Sequence, residues 1–397
     1  MRVFPRLLRL CRRELALLAS DPRLLAIVLF TPLAYTLLLG YLYLPKRVLH
    51  IPTWIIDEDH SALSRSLITA ARNDEYFHVI RVGGTVEEFR EATLNGSAYA
   101  CLVIPKDFER DVKRAKSVRL LTLVEGGNMI IANSVRGGAA EIDGVYGAVV
   151  QMQRLAMRGT PSQYALSAAV PLESDIRIWN NPTFNYMDFL LPGLVGTIVQ
   201  QVTLLAVALA FVRERELGLL DGLRRITSSP LEALFAKGLV YTLVNLLVAA
   251  AAYAINFFAF GVQMTGSFPL LALLLAVFIS ALVALGIIIS ALAKDQLFAT
   301  QILMLIAVPS FLISGFTWPQ MAMPKAILWL SNALPLTHFV LPLRQILMQN
   351  ADFNNIRPHL LWLWALVCVS YLGAYLVIRH AMASSRNPEQ RKISLPL

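Results

Sequence analysis

Six long apolar runs constrain the fold of this chain more than any other feature of its sequence. None contains Asp, Glu, Lys, Arg or His, and each is close to or above the about 20 apolar residues that a helix needs to cross a hydrocarbon core of about 30 Å. One such run would fit a buried core helix, but six in a chain that is 56% hydrophobic and 15% charged predict an all-α membrane domain with six spans. The predicted spans are residues 24–44, 189–212, 238–262, 268–293, 297–318 and 360–378.

The distribution of the net charge of +9 predicts how these spans are oriented. Basic residues concentrate in the segments 2–23, 213–237 and 379–397, whereas the short loop 263–267 has none. Because Lys and Arg are enriched in short cytoplasmic loops, both termini are predicted to be cytoplasmic and the long segment 45–188 to be outside. The positive charge therefore indicates the orientation of a multi-pass protein in the lipid bilayer, and not a protein that binds nucleic acid. The membrane is expected to be a bacterial cytoplasmic (inner) membrane.

Residues 1–23 are predicted to form a helix in the cytoplasmic interface, with apolar residues at helical spacing and arginines facing anionic headgroups. A disordered basic leader is the alternative. The first apolar run is predicted to remain as an anchor, because it exceeds the apolar region of a signal peptide and residues 41–45 offer no small-residue cleavage site. The apolar positions are Phe4, Leu7, Leu8, Cys11, Leu15 and Leu18, and the arginine positions are Arg2, Arg6, Arg9, Arg12 and Arg13.

The segment 45–188 has the composition of a soluble protein and is predicted to be an extracytoplasmic α/β domain. Short β-branched runs alternate in it with helical patterns, which is typical of α/β folds. Strands are predicted at 51–56, 77–82, 98–104 and 118–124, and helices at 61–72, 86–94, 106–115 and 128–157.

The acidic stretch 57–61, after the first of these strands, permits two interpretations. Its three carboxylates and one histidine could bind a cation that prefers oxygen ligands. Alternatively, Ser61 caps the next helix and the acidic residues lie at the positive end of that helix dipole. Because no second acidic cluster follows, the capping interpretation is preferred and no metal site is predicted.

The sequence contains no catalytic motif. The dipeptide Gly-Lys never occurs, so a phosphate-binding loop is absent, and there is neither a nucleophile elbow nor a His-Glu-x-x-His motif. The predicted spans also lack the ionisable side chains on which ion-coupled transporters depend. The chain is therefore predicted to be neither an enzyme nor the binding site of a cofactor. If ATP drives it, another polypeptide must hydrolyse that ATP.

The segment 213–229, between the second and third predicted spans, is the most informative. It mixes both signs of charge, and Leu219, Leu223 and Ile226 can form one apolar stripe on a helix. Such a segment suits docking to a soluble partner, with a solvated loop that obeys the charge rule as the alternative. The next helix is predicted to begin at Pro230, with Ser229 as its N-cap and Glu232 closing a capping box.

Several groups of residues resemble the ABC-2-type (type V) exporter permeases, and together they cover nearly the whole chain in order. Glu214-Arg215-Glu216-x-Gly218, followed by Pro230-Leu231-Glu232 and Lys237-Gly238, is similar to the family's signature between its second and third spans. Segments 181–194, 314–324 and 332–344 are similar to the start of its second span, the turn after its fifth and the reentrant element that follows. Segment 57–61 resembles the subfamily with a large ectodomain. Leu219-Leu220-Asp221 departs from the family's Thr-Leu/Met-Glu.

The resemblance implies a complex of two such permeases with two ABC ATPase subunits, which would bind ATP and Mg²⁺. In it, residues 213–229 form the coupling helix, the N-terminal helix gives a second contact, and residues 319–345 form an external reentrant element. A periplasmic membrane-fusion adaptor is left open as a further partner. The residues expected to couple the permease to the ATPase are Glu214, Arg215, Glu216, Gly218, Asp221, Arg224 and Arg225.

The predicted function is export of a hydrophobic or amphipathic substrate, drug-like or lipid-like, with a non-transporting envelope scaffold or receptor as the alternative. A six-span chain has too few helices to enclose a large path, so the path is expected between two copies, and the resemblance places spans two and five there. Pro192, Gly193 and Gly196 are expected to weaken the start of span two, and Pro309 to interrupt span five. The predicted path residues are Leu194, Gly196, Val199, Gln200, Phe311 and Phe316.

Overall fold

The computed structural model describes residues 3–114, 116, 118–157 and 178–384, and the chain divides into two compact units. One unit combines residues 1–46 with residues 178–397, and the other contains residues 47–177. The first holds the long apolar helices and the second holds a small sheet with helices. The predicted class, an all-α membrane domain with an inserted α/β domain, is confirmed. Residues 178–188, predicted in the inserted domain, belong to the membrane unit.

The membrane unit begins with two helices, α1 (Val3–Ala19) and α2 (Pro22–Leu42). α1 is amphipathic, as predicted, and α2 is the first span. Asp21 separates them, and its carboxylate accepts hydrogen bonds from the backbone N–H groups of Arg23 and Leu24. With Pro22 at the first helical position, this is the usual chemistry of a helix N-terminus.

The α/β unit contains a four-stranded sheet whose described elements match the predicted ones within a few residues. In chain order they are β1 (Ile51–Asp57), α3 (Ala62–Asn73), β2 (Phe77–Val82), α4 (Val86–Leu94), β3 (Ala100–Ile104), α5 (Phe108–Lys113), β4 (Leu121–Val124) and α6 (Met129–Met157). The strand order is β2-β1-β3-β4; β1 is parallel to β2 and β3, and β4 is antiparallel to β3. Parallel neighbours need crossover connections, and α3 and α4 lie in them. Ile55, Phe77 and Ile104 lie in the core of this unit.

The acidic stretch 57–61 caps helices, as preferred from the sequence. The Asp57 carboxylate accepts hydrogen bonds from the backbone of Asp59 and His60 and from the Ser64 hydroxyl. Ser61 Oγ accepts from the Ser64 backbone N–H at 3.0 Å, as an N-cap does. Asp57 and Ser61 therefore act as local capping groups at α3, and the Asp59 carboxylate accepts from the Glu109 backbone N–H at the start of α5.

The remaining membrane helices follow residue 178. They are α7 (Tyr186–Glu216), the short α8 (Leu220–Ile226), α9 (Pro230–Ala254) with a π-helical turn at Ile255–Ala259, α10 (Phe268–Leu292), α11 (Gln296–Ile313), α12 (Lys325–Asn332), α13 (Thr337–Gln349) and α14 (Phe353–Ser384). Among the described residues, six helices are long and apolar enough to cross a membrane, namely α2, α7, α9, α10, α11 and α14. The prediction of six spans is confirmed.

The span α7 is the inner helix of the unit, because 72% of its most apolar window is buried, compared with 22% for α11. Two helix-breaking predictions for these spans are wrong. α7 continues through Pro192, and α11 continues through Pro309 to Ile313. The glycines of α7 serve close packing instead: a Cβ at Gly193 would overlap the Phe316 ring, and one at Gly196 would overlap Phe339.

The segment after α11 contains a sharply bent pair of helices at the place where the family resemblance implied a reentrant element, and its path relative to the membrane stays a prediction. A 3-10 turn at Gln320–Ala322 leads into α12, and α12 and α13 meet at an angle of 82°. The element extends to Gln349, beyond the predicted residue 345.

The helix α9 begins at Pro230 with Ser229 as its N-cap, as predicted, but the Glu232 side chain has a partner different from the one that a capping box requires. Ser229 Oγ accepts a hydrogen bond from the Glu232 backbone N–H at 3.5 Å. The Glu232 carboxylate accepts from the Thr227 hydroxyl, and that hydroxyl oxygen accepts from the Ser229 N–H. The Thr227 hydroxyl therefore connects the backbone N–H of Ser229 to the carboxylate of Glu232.

Candidate functional site

Four charged side chains meet where α1, the end of α7 and the start of α9 come together. Lys237 Nζ donates to Glu14 Oε2 at 2.7 Å and to Glu214 Oε2 at 2.5 Å. Arg13 donates to the same two carboxylates, at 2.8 Å in the case of Glu14. Both carboxylates and the ammonium group are buried. We call these four residues the charge clamp.

The charge clamp is electrically balanced, with two cations and two anions. Burying one unpaired charge would cost several kcal/mol, so each member depends on the others. Its members come from three helices, which the ion pairs therefore join. Around it, Leu10 and Cys11 pack with Leu223, Ala233 and Ala236 in a small apolar cluster.

The placement of α1 corrects one prediction about its arginines. Arg13 does not face lipid headgroups, because its guanidinium is held by Glu14 and Glu214. Leu10, Glu14 and Leu18 form the buried face of the helix. Phe4, Leu8 and Leu15 are exposed on another face, which remains available to the membrane interface.

The two residues after Glu214 hold the turn between α10 and α11. Arg215 donates to three carbonyl oxygens at the end of α10 and just beyond it, those of Ala291, Ala293 and Lys294. The Glu216 carboxylate accepts from the backbone N–H of Gln296 at 3.2 Å and from its side-chain amide at 2.5 Å. A cation at a helix C-terminus and an anion at a helix N-terminus both complement the helix dipoles.

Glu214, Arg215 and Glu216 therefore have side-chain partners inside the chain, and the Leu219 carbonyl oxygen accepts a hydrogen bond from Arg13 at 2.9 Å. Several other side chains of the predicted coupling segment point outward. Leu217, Leu219 and Arg225 are exposed. Gly218 has a φ of +67°, a conformation that suits glycine at the turn from α7 to α8. The side chains of Asp221 and Arg224 lie outside the described residues. Coupling to an ATPase through this segment stays a prediction.

The opposite end of α7 carries a different arrangement, which we call the aromatic end. The guanidinium of Arg344 lies 4.5 Å from the ring centre of Phe189 and 4.8 Å from that of Phe316. Nearby in the sequence, His338 Nδ1 lies 3.1 Å from His359 Nδ1, and His338 Nε2 lies 2.9 Å from the Asn332 carbonyl oxygen. Arg344 Nη2 donates to the Phe316 carbonyl oxygen at 2.9 Å.

Most of the predicted path residues are packed inside one chain. Gly196, Val199 and Phe316 are buried, and Gln200 donates to Ser310 Oγ at 2.8 Å. Leu194 and Phe311 are half-buried. Their role in a path between two copies stays a prediction.

Sequence reasoning missed Glu14, Lys237 and Arg344 as members of these two arrangements. Glu14 offered a signal, since it lies four residues from both Leu10 and Leu18 and therefore shares their helix face. Lys237 had been placed just outside the third span, although α9 begins seven residues earlier, at Pro230. The partners of these residues are remote in sequence, so no local pattern could identify them.

Comparison with known proteins agrees with the architecture. Residues 22–376 match the family model described as ABC-2 family transporter protein. The chain is 26% identical over 383 residues to the probable multidrug ABC transporter permease YbhR of Escherichia coli strain K12, covering 95% of this chain and 99% of that protein. It is 24% identical over 352 residues to the probable multidrug ABC transporter permease YbhS of the same strain, covering 85% and 87% of the two chains.

A eukaryotic protein matches over a shorter region. ABC transporter G family member 20 of Dictyostelium discoideum is 25% identical over 217 residues, which is 55% of this chain and 29% of that protein. Since the family model spans most of the chain and extends from the first span into the sixth, the chain belongs to the ABC-2 family of transporter proteins, as a multi-pass membrane permease.

Proposed function

We propose that this chain is the permease of an ATP-driven exporter for hydrophobic or amphipathic compounds, drug-like or lipid-like. The relatives named as probable multidrug permeases support that substrate class. ATP and Mg²⁺ would be bound by a separate ABC ATPase, with two ATPase subunits serving two copies of this chain. The charged end, formed by the charge clamp and the α10–α11 turn, would face the cytoplasm together with both termini.

One observation carries the proposal about energy coupling: three consecutive residues at the end of α7 contact four other helices. Glu214 is joined to α1 and α9, whereas Arg215 and Glu216 hold the ends of α10 and α11. A movement of the α7–α8 corner would therefore be passed to four other helices. The exposed Leu217, Leu219 and Arg225 beside this corner offer the surface on which an ATPase would act.

Docking is tested by substituting the exposed residues and leaving the buried ones intact. Leu219→Asp and Arg225→Glu should leave insertion and folding unchanged but abolish co-purification with the ATPase and ATP-dependent transport. Charge reversal at Glu214 would not test docking, since it would leave buried charges unpaired. Normal transport and ATPase binding in both surface variants would show that this corner is only a solvated turn.

Orientation is tested with a reporter enzyme that is active only outside the cytoplasm. Fusions after residue 100, in the α/β unit, and after residue 350, between α13 and α14, should be active. Fusions after residues 228 and 390 should be inactive. An active fusion at 228 would contradict the proposed orientation.

The scaffold alternative makes a different prediction for the reconstituted complex. Vesicles that contain the permease and its ATPase should accumulate a hydrophobic dye only when ATP is hydrolysed. A complex that binds the ATPase but shows no ATP-dependent movement of any amphipathic dye would favour the scaffold.

A further inference from the structure

Arg344 is a half-buried cation at the aromatic end. Among the described residues no carboxylate lies within 4.0 Å of its guanidinium nitrogens. The charged groups of the clamp, by contrast, are all paired. A positive charge without an anionic partner among the described residues is the feature that requires an explanation.

The neighbours of Arg344 satisfy only part of its hydrogen-bonding capacity. A guanidinium has five N–H donors in a rigid fork. One nitrogen donates to the Phe316 carbonyl oxygen, and the buried Nε has no acceptor among the described residues. The rings of Phe189 and Phe316 lie nearly parallel, at 11°, and both contact the guanidinium. Cation–π contacts fix the position of the group but leave its charge and most of its donors unused.

The surroundings of Arg344 are apolar. The buried Phe316 packs against Phe311 as well as Phe189, and the three rings form a continuous aromatic cluster beside the guanidinium, of which Phe189 and Phe311 are half-buried. An arginine that only anchored the helix at a membrane surface would extend its charge toward water or headgroups. Here the guanidinium is held against the rings by the Phe316 carbonyl group.

We propose that Arg344 binds the anionic headgroup of an amphipathic molecule, a carboxylate, phosphate or sulfate, while the half-buried rings of Phe189 and Phe311 contact its apolar part. A guanidinium matches such oxyanions through two parallel hydrogen bonds, which a lysine cannot reproduce. The proposal rests on the proposed function in one respect: it makes this molecule the exported substrate or a lipid that the transporter needs. It narrows the substrate class from amphipathic compounds to amphipathic anions.

Direct binding tests the site without reference to transport. The permease is placed in phosphatidylcholine nanodiscs, and binding of dodecyl phosphate and of dodecyltrimethylammonium is measured below their micellar concentrations. Because a charge-assisted hydrogen bond is lost, Arg344→Gln should weaken dodecyl phosphate binding on the order of tenfold or more, with Arg344→Lys in between. Binding of the cationic amphiphile should not change. Arg357→Gln removes an exposed cation from the start of α14 and serves as the matched control.

The source of the headgroup is distinguished in reconstituted complexes. If the anion is substrate, dodecyl phosphate stimulates ATP hydrolysis in phosphatidylcholine vesicles, and Arg344→Gln raises its half-saturating concentration. If the anion is a lipid, phosphatidylglycerol raises the basal ATPase activity of the wild type but not that of Arg344→Gln. If the permease does not couple to any ATPase, the proposed function is contradicted. The nanodisc measurement would still test whether Arg344 binds an anionic amphiphile.

Two outcomes would overturn the proposal. In the first, Arg344→Gln and Arg344→Lys weaken both amphiphiles equally, which would make the residue a structural tie between Phe316 and α13. In the second, neither variant changes the binding of either amphiphile. Arg344→Lys keeps the charge and is the folding control should Arg344→Gln be poorly inserted.

Discussion

The two ends of the span α7 differ in how their charged side chains are paired. At the charged end, Arg13, Glu14, Glu214 and Lys237 neutralise one another inside the chain. At the aromatic end, Arg344 is surrounded by rings and a carbonyl group, without a carboxylate among the described residues. A fully paired set of charges holds helices together, whereas an unpaired one is available to a ligand. The comparison separates residues that hold the helices together from a residue that is available to bind a ligand.

Lys237→Met should have the largest effect on stability. It leaves Glu14 and Glu214 buried with Arg13 as their remaining cation, and breaking a buried ion pair from one side costs on the order of 3–5 kcal/mol. The free energy of unfolding of the membrane unit in denaturant or the midpoint of thermal unfolding measures this loss. Lys294→Met, which removes an exposed lysine from the same end, should change neither quantity.

A quadruple variant separates the stability of the charge clamp from its role in coupling. Arg13→Met, Glu14→Leu, Glu214→Leu and Lys237→Met together replace every charge of the clamp by an apolar side chain, a change that is often neutral or stabilising. We expect a stability within about 1 kcal/mol of the wild type, on the same principle. ATP-driven transport should nevertheless be reduced if the ion pairs carry movement between α1, α7 and α9. Full transport in a stable quadruple variant would show that the clamp serves only to pack the helices.

Arg215→Gln should have an intermediate effect, about 2 kcal/mol, because it removes charge-assisted hydrogen bonds to the end of α10. Arg225→Gln is its counterpart on the exposed surface and should not affect stability. Co-purification with the ATPase sharpens the contrast. Arg215→Gln should leave ATPase binding intact, whereas Arg225→Gln should weaken it. If both variants weaken ATPase binding equally and neither is destabilised, the division into internal and exposed residues is wrong.

Arg344→Gln should cost less stability than either of these changes, about 1 kcal/mol from its two ring contacts. No buried charge is left behind, since the guanidinium has no anionic partner among the described residues. Unfolding of Arg344→Gln and Lys237→Met under identical conditions gives the comparison directly. If Arg344→Gln lowers the free energy of unfolding as much as Lys237→Met does, Arg344 mainly stabilises the fold, as the charge clamp does.

The smallest expected effect is a change in thiol reactivity on α1. Burial, and then the neighbouring Glu14 carboxylate, raises the pKa of the Cys11 thiol, so the reactive thiolate is scarce near neutral pH. Release of α1 in Lys237→Met would expose the thiol and lower its pKa, and both changes accelerate labelling by a maleimide. The measurement is made in a variant that also carries Cys101→Ala and Cys368→Ala, so that the maleimide labels Cys11. Equal labelling rates with and without the clamp would show that the ion pairs do not hold α1.

The parts of the fold that depend on local patterns could be predicted from the sequence. The six spans follow from runs of apolar residues, and the strands and helices of the α/β unit follow from periodicity and from caps such as Ser61. Pairings between remote residues could not be predicted. Lys237 and Glu14 are separated by 223 positions, and each looked like part of a basic or amphipathic segment.

The glycines of α7 illustrate a second limit. Gly193 and Gly196, together with Pro192, were expected to weaken the helix, because glycine and proline are poor helix formers. In the structure the helix is continuous, and the two glycines make room for Phe316 and Phe339. Whether a glycine marks a break or a close contact depends on the side chain that approaches it, and that side chain lies more than one hundred residues away.

That close contact has a consequence for the synthesis of the protein. The rings of Phe316 and Phe339, which cover Gly193 and Gly196, are translated roughly 120 to 140 residues after those glycines, a delay of about ten seconds at ordinary elongation rates. During this interval α7 is already made, yet its glycine face has no aromatic cover. Lipid or the insertion machinery must occupy that face until α11 and the bent α12–α13 pair are made. Chains that end just before residue 339 should therefore be substrates for membrane proteases even though five spans are complete.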